Sequence, residues 1–413
     1  MNSEFHRSRR QQFYGNMGDN EALILFAGSA PRKTADANYR FFANRNFYYM
    51  TGILQKESVL LAVKHGGDVV ETLFILPKDP KDERWQGRRL SKDEASGMSG
   101  VEEVVDLEGF KRDLKTAINK ESIAAIWYDF DVFDVDRKDA PQNRHSESIR
   151  RDYPAVTFKT AYQSICRQRT IKTPDEVDHI REAMCVTREG IHAMMKAAKA
   201  GMYEYQLEAV FNKVLADACV REPAFENIVS SGRNNFCIHY DEPMGVLNAG
   251  DLILVDVGAS SNQYVNDISR AFPVNGKFSQ EQKTVYSIAL KISKELMAML
   301  VPHKVTFADI EDLCRRRMAE ELTSAGYLSE DEDVSKYRWH NGTHHVGLDV
   351  HDVGAQPVPI APGMVFTIDV GIYIEERNIG FRIEDDVVVT ETGYEHLSSG
   401  IVREIDEVEA MMR

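Results

Sequence analysis

The amino-acid sequence predicts an α+β protein of two domains. An α/β domain spans residues 1–168, and a domain over 172–413 has helices covering a curved antiparallel sheet with pseudo-twofold symmetry. Three observations carry this. The chain has 413 residues, and single cores stop growing at about 250–300 residues. Residues 250–258 and 363–371 repeat one another, each with glycine, five mostly apolar residues and then Asp-Val-Gly, 113 positions apart. In the second half, helix signals and hairpin signals alternate in the order helix, hairpin, helix, hairpin.

Apolar runs at 22–26, 59–63, 72–76 and 123–128, separated by polar or helical segments, predict the strands of the first domain. The boundary falls near 165–173. There Thr173-Pro174-Asp175-Glu176 forms a capping box with proline at the first helical position, opening a helix that runs to about Lys199 and stops at Gly201. Ser279 with Gln282 caps an amphipathic run to Leu300, and Thr306 with Asp309 caps a helix to Thr323 before Gly326. A two-residue turn over Ser261-Asn262 would place Asp256 directly opposite Asp267. In the second hairpin an even loop centred between Glu376 and Arg377 places Asp369 opposite Glu384.

Four carboxylates thus converge from two hairpins, inside runs that otherwise favour buried strand. Burying ionised acids without a partner is unfavourable enough that they would neutralise, so the pattern implies a cation, a hydrogen-bond network or a metal. Oxygen-rich clusters suit hard or borderline divalent ions, and an imidazole shifts the preference toward Mn, Co, Fe or Zn. Residues 339–352 supply four of the chain's 12 histidines, at 340, 344, 345 and 351.

Composition excludes several classes. There are 50 Lys and Arg against 65 Asp and Glu, a net charge of −15, and the cations are scattered, which argues against nucleic acid or anionic membranes as partners. No stretch approaches the roughly 18 apolar residues of a membrane span. The basic N-terminus lacks an apolar segment behind it, so a cytoplasmic location is expected. Five cysteines without Cys-x-x-Cys spacing predict buried, reduced thiols, Cys237 included despite its closeness to His239.

The chain resembles the pita-bread metallopeptidases, and among them the Xaa-Pro aminopeptidases (aminopeptidase P). The motifs that carry the resemblance are Ser231-Gly232 through His239, Leu-Val-Asp256-Val-Gly, Tyr-Val-Asn-Asp267-Ile-Ser-Arg270, His344-His-Val-Gly-Leu-Asp-Val-His351-Asp-Val-Gly and Gly380-Phe-Arg382-Ile-Glu384. In the N-terminal half they are Arg9-Arg10, residues 44–52 and Trp85-Gln-Gly-Arg88. The resemblance implies an N-terminal creatinase-like domain, a pita-bread catalytic domain and two divalent metal ions, manganese first with cobalt or zinc as alternatives. It implies that Asp256 chelates one ion, Asp267 and Glu384 bridge both, and His344 with Asp369 holds the other. His239, His351 and Arg382 would line the substrate site, His345 would support the ligands and His340 would shape the pocket. The implied reaction is hydrolysis of the N-terminal Xaa-Pro bond of peptides by a metal-bridging water, in a homodimer or homotetramer. Trp85 would lie near an active-site mouth or simply pack locally. Prolidases, which act on Xaa-Pro dipeptides, share the architecture, and metal-free pita-bread binding modules form a rival class.

One position departs from the family pattern. Asp369-Val370-Gly371 replaces Glu-Pro-Gly, where the glutamate is also the favoured proton acceptor. The acid is shorter by over ~1 Å, a large displacement for metal-ligand geometry. Two outcomes follow: an under-coordinated ion, or a strand drawn inward by the backbone N–H that Val370 restores.

Overall fold

The computed structural model describes residues 1–134, 136–354 and 358–413. They form two compact units, Met1–Gln168 and Arg169–Arg413.

The first unit is built on a six-stranded mixed sheet in the order Glu103–Asp106, Asp68–Ile75, Val59–His65, Glu21–Phe26, Ala125–Tyr128, Thr157–Thr160. The four inner strands coincide with the four apolar runs. The two outer strands were not legible, because short edge strands with at most one buried side chain carry no apolar run. Ile24, Leu61, Phe74 and Ile126 pack with Phe110 and Leu114 of helix Phe110–Lys120. Arg10 is fully buried. Its guanidinium forms two bonds to Glu71 at 3.0 Å and donates to the carbonyls of Met50 and Ser99, so this motif residue serves the fold of its own unit. Trp85, on helix Pro80–Gln86, is 89% exposed, which removes the local-packing reading.

In the second unit the capping boxes at Thr173, Ser279 and Thr306 open helices Pro174–Ala197, Gln280–Ala298 and Phe307–Ser324. A further helix, Glu204–Asp217, was not read from the sequence. It starts at Tyr203, which has no short capping side chain of the Ser, Thr, Asp or Asn type. The first hairpin pairs Leu252–Val257 with Ile268–Pro273 and is extended by Ile228–Ser231. The second pairs Val365–Ile374 with Ile379–Val389 and is extended by Tyr394–His396. The returning strands of the two hairpins meet: Ser269 Oγ donates to Glu384 Oε2 at 3.0 Å, and the Arg270 guanidinium to the Glu384 carbonyl at 2.7 Å.

The second register is as expected, with Asp369 opposite Glu384 and one residue per pair from Val365↔Val388 to Ile374↔Ile379. The first differs by two residues. The turn is Asn262-Gln263, both at positive φ (46° and 72°), and Asp256 faces Ser269 rather than Asp267. Side chains alternate with period two, so an even shift leaves Asp267 on the expected face. The repeated Asp-Val-Gly also has a steric reason. A Cβ on Gly258 would lie 2.1 Å from the Asn266 carbonyl oxygen, and one on Gly371 2.2 Å from His340 Nε2. None of the five cysteines is in a disulfide, but only Cys166 and Cys314 are buried; Cys185, Cys219 and Cys237 are exposed, contrary to the expectation of buried thiols.

Candidate metal centre

Three acids of the site are placed by strands that the core holds on both flanks, and Asp267 stands just before strand Ile268–Pro273. Asp256 lies between the fully buried Val255 and Val257, Asp369 lies between Ile368 and Val370, and Glu384 follows Ile383. Alternation turns the apolar neighbours into the core and the acids to the opposite side. There, Asp256, Asp267, Asp369, Glu384, Arg382, His239, His340, His344 and His351 line one cavity of about 250 Å3 with Ile238, Asn341 and Thr343. Every metal-site and substrate-site residue named from the sequence is on that lining. His345 is not; it is buried against Phe307 at 4.7 Å between ring centroids.

Among the described residues, two groups bring potential ligand atoms within 4.8 Å of one another: Asp256, Asp267 and Glu384, and Asp267, His344 and His351. His344 Nε2 is 3.4 Å from Glu384 Oε1 and 3.5 Å from Asp267 Oδ2. Asp369 belongs to neither group. Its carboxylate turns instead to His340 Nδ1, at 3.1 Å. His351, expected on the substrate side, stacks edge-on against His344 at 4.3 Å between centroids.

The electrostatics are those of acids crowded without a cation. Burial and the charges of Glu384 and Asp256 push Asp267 well above the carboxylate range. Burial and Asp369 lift Glu384 to about 7. Asp256 escapes: burial opposes its charge, but the Arg382 guanidinium donates to it and holds it below its ordinary value. Arg382 also donates through Nε to Ser269 Oγ at 2.8 Å, so it orients Glu384 only indirectly, through that hydroxyl. Burial works against the charge on His344, yet Glu384 raises it to about 9. The same opposition at His340 is resolved upward by Asp369. Burial, then His344 and His239, depress His351. Ser269 is the contributor the sequence reading missed; a serine inside a strand carries no signal of its own, and only the register reveals it.

The residues fit a metal. One oxygen each of Asp256, Asp267 and Asp369 is buried without a hydrogen-bond partner, an arrangement that is costly unless a ligand satisfies it. Carboxylate oxygens with one imidazole match the preferences of Mn, Co or Zn. The linkage has a definite sign. In the cation-free protein Glu384 and Asp267 have folded pKa values above their unfolded ones, so their contribution is present at low pH and is lost as pH rises through about 7 for Glu384. Bound divalent ions displace those protons. The melting-temperature difference between Mn2+-loaded and chelator-treated protein is therefore expected to widen from pH 5 to pH 8; a difference independent of pH would contradict the site.

Comparison with known proteins identifies the family. Residues 178–391 match the family model for metallopeptidase family M24, and residues 6–127 that for the aminopeptidase P N-terminal domain. The Xaa-Pro aminopeptidase of Haemophilus influenzae is 31% identical over 99% of this chain and 97% of its own length. A Bacillus anthracis structure described as a candidate aminopeptidase P superposes with a TM-score of 0.97 at 39% identity, covering 100% of this chain and 99% of that one. Zinc-substituted Escherichia coli aminopeptidase P in complex with product gives a TM-score of 0.91 at 29% identity, covering 100% and 98%. The chain thus belongs to metallopeptidase family M24, and it is a hydrolase of the Xaa-Pro aminopeptidase (aminopeptidase P) type.

Proposed function

We propose that this protein holds two divalent metal ions and hydrolyses the bond between the first residue of a peptide and a proline in second position. The observation that carries the proposal is the single small cavity shared by Asp256, Asp267, Glu384, Asp369 and four histidines. Ligand sites commonly run from about 300 to 1,000 Å3, so a smaller space favours the end of a chain over its middle.

Asp256, Asp267, His344, Asp369 and Glu384 would hold the ions, with Asp267 and Glu384 common to both and Asp369 the one acid outside the two close ligand groups. When bound, the pair would supply Lewis acidity and a hydrolytic water deprotonated near neutral pH. Arg382 keeps Asp256 anionic and, through Ser269, fixes one oxygen of Glu384. His351, with its proton affinity depressed, is neutral at pH 7 and can donate a hydrogen bond to the scissile carbonyl or the departing nitrogen. His239 lies on the same lining and would flank the space for the proline ring. Proline has no N–H, so selection rests on shape and on tolerance of a tertiary amide. The fully exposed face of Trp85 supports a homodimer or homotetramer in which that residue is covered. No helix among the described residues is long and apolar enough to cross a membrane, and a cytoplasmic setting remains our proposal.

Manganese is the proposed ion, cobalt and zinc the alternatives. Mn2+ binds weakest in the series, so protein purified without added metal is expected to be nearly inactive and to recover with Mn2+ or Co2+. A tripeptide with proline second should then lose one N-terminal amino acid, and the same peptide with alanine in that place should lose most turnover. Cleavage confined to Xaa-Pro dipeptides would make the protein a prolidase.

Asp369 gives a second test. It stands in regular register, outside both ligand groups and turned toward His340, so the under-coordinated outcome is favoured over an inward strand. Asp369→Glu should tighten metal binding or raise kcat by restoring reach, and Asp369→Asn should lower both. Loss of activity in Asp369→Glu would show instead that the strand suits the shorter acid.

A further inference from the structure

The segment that carries His239 runs from strand Ile228–Ser231 to strand Leu252–Val257. After the 3-10 turn Gly232–Phe236 it contains no helix or paired strand of its own. Hydrogen bonds from outside must therefore hold it, and one carboxylate gathers four of them. Glu204, the first residue of helix Glu204–Asp217, is fully buried. Its Oε1 accepts from Ser231 Oγ and from Asn234 Nδ2, both at 3.0 Å. Its Oε2 accepts from the Tyr240 hydroxyl at 2.9 Å and from the Gly245 amide at 2.7 Å. The backbone repeats the attachment, since the Glu204 amide donates to the Gly245 carbonyl at 2.9 Å and the Tyr205 amide to the Pro243 carbonyl at 2.7 Å. The approach is close enough that a Cβ on Gly245 would stand 2.5 Å from Asn234 Nδ2 and 2.8 Å from the Glu204 carboxyl carbon.

Four donors spread over fifteen residues thus converge on one acid, and the third of them, Tyr240, is the neighbour of His239. On the other side of His239, the Ile238 carbonyl accepts from Arg382 at 3.4 Å. Glu204 itself is absent from the cavity lining. We propose that Glu204 is a positioning residue: through Tyr240 and the 231–245 segment it sets where His239 stands in the substrate site. The inference rests on the substrate role given to His239 above.

Glutamine at 204 would have one accepting oxygen in place of two. The hydroxyls of Ser231 and Tyr240 can turn and the Asn234 amide can flip, but the Gly245 N–H is fixed in the backbone and would trade a charged acceptor for a neutral one or for an opposing N–H, which is costly. The proposed ligands all lie outside the 231–245 segment, so the loss should appear in substrate binding. Glu204→Gln is expected to raise KM for a proline-second tripeptide roughly tenfold with kcat little changed, the signature of lost ground-state binding. Tyr240→Phe, a milder change, should do the same to a smaller degree.

The deciding experiment is a double-mutant cycle on the Mn2+-loaded full chain with that tripeptide, combining each substitution with His239→Ala. If Glu204 acts through His239, neither Glu204→Gln nor Tyr240→Phe raises KM further once His239 is gone. Effects that persist unchanged in the His239→Ala background, or single variants with unaltered KM, overturn the proposal while leaving the peptidase reading intact. Should Glu204→Gln fail to fold, Tyr240→Phe carries the same comparison alone. A wild-type protein that leaves the tripeptide uncut overturns the Xaa-Pro reading, and this inference with it.

Discussion

The second unit depends on the mutual repulsion of carboxylates that its two hairpins force together. Asp256, Asp267 and Glu384 are each less than a tenth exposed, and Asp267 and Glu384 are pushed toward the protonated form where no cation answers them. Arg382 answers one of the three, Asp256. The successive acids 384–386 show how the strand distributes the burden. Glu384 and Asp386 face the site, and the Asp386 carboxylate takes the Asp267 amide. Asp385, on the other face, is paired with Arg270 and Arg403 and held far below the usual carboxylate range. Charge is thus neutralised by protein behind the strand and left for a metal in front of it.

Much of this was legible because the physics is periodic. Asp369 and Glu384 could be paired from sequence alone, since the loop between Ile374 and Ile379 has even length and no bulge interrupts the ladder. Asp256 and Asp267 were given the right face but the wrong partner. Asn262-Gln263 rather than Ser261-Asn262 forms the turn, and glutamine is not a residue that announces positive φ. The capping boxes marked three helices to within a few residues. Helix Glu204–Asp217 lacked that signal, and with it went Glu204.

Residues whose importance lies in whom they touch were the least readable. Ser269 links Arg382 to Glu384, Arg10 locks Glu71 inside the first unit, and Glu204 gathers the segment bearing His239. Arg10 and Ser269 fall inside family motifs and Glu204 does not, but in all three only the long-range contacts give the residue a role. Asp369 is the reverse case. Its departure from the family pattern is plain in the sequence, whereas the imidazole that engages its carboxylate, His340, is fixed by the fold through Tyr373 at 3.1 Å and the Asn341 carbonyl at 2.9 Å.

The central claim is that the converging carboxylates exist to hold two ions. Equilibrium binding of Mn2+ to metal-stripped protein, counted as ions per chain at neutral pH, tests it most directly. Two ions per chain, with Glu384→Gln weakening both because that residue is shared, is the predicted result. A single ion unaffected by Glu384→Gln, or no binding at all, would contradict the account.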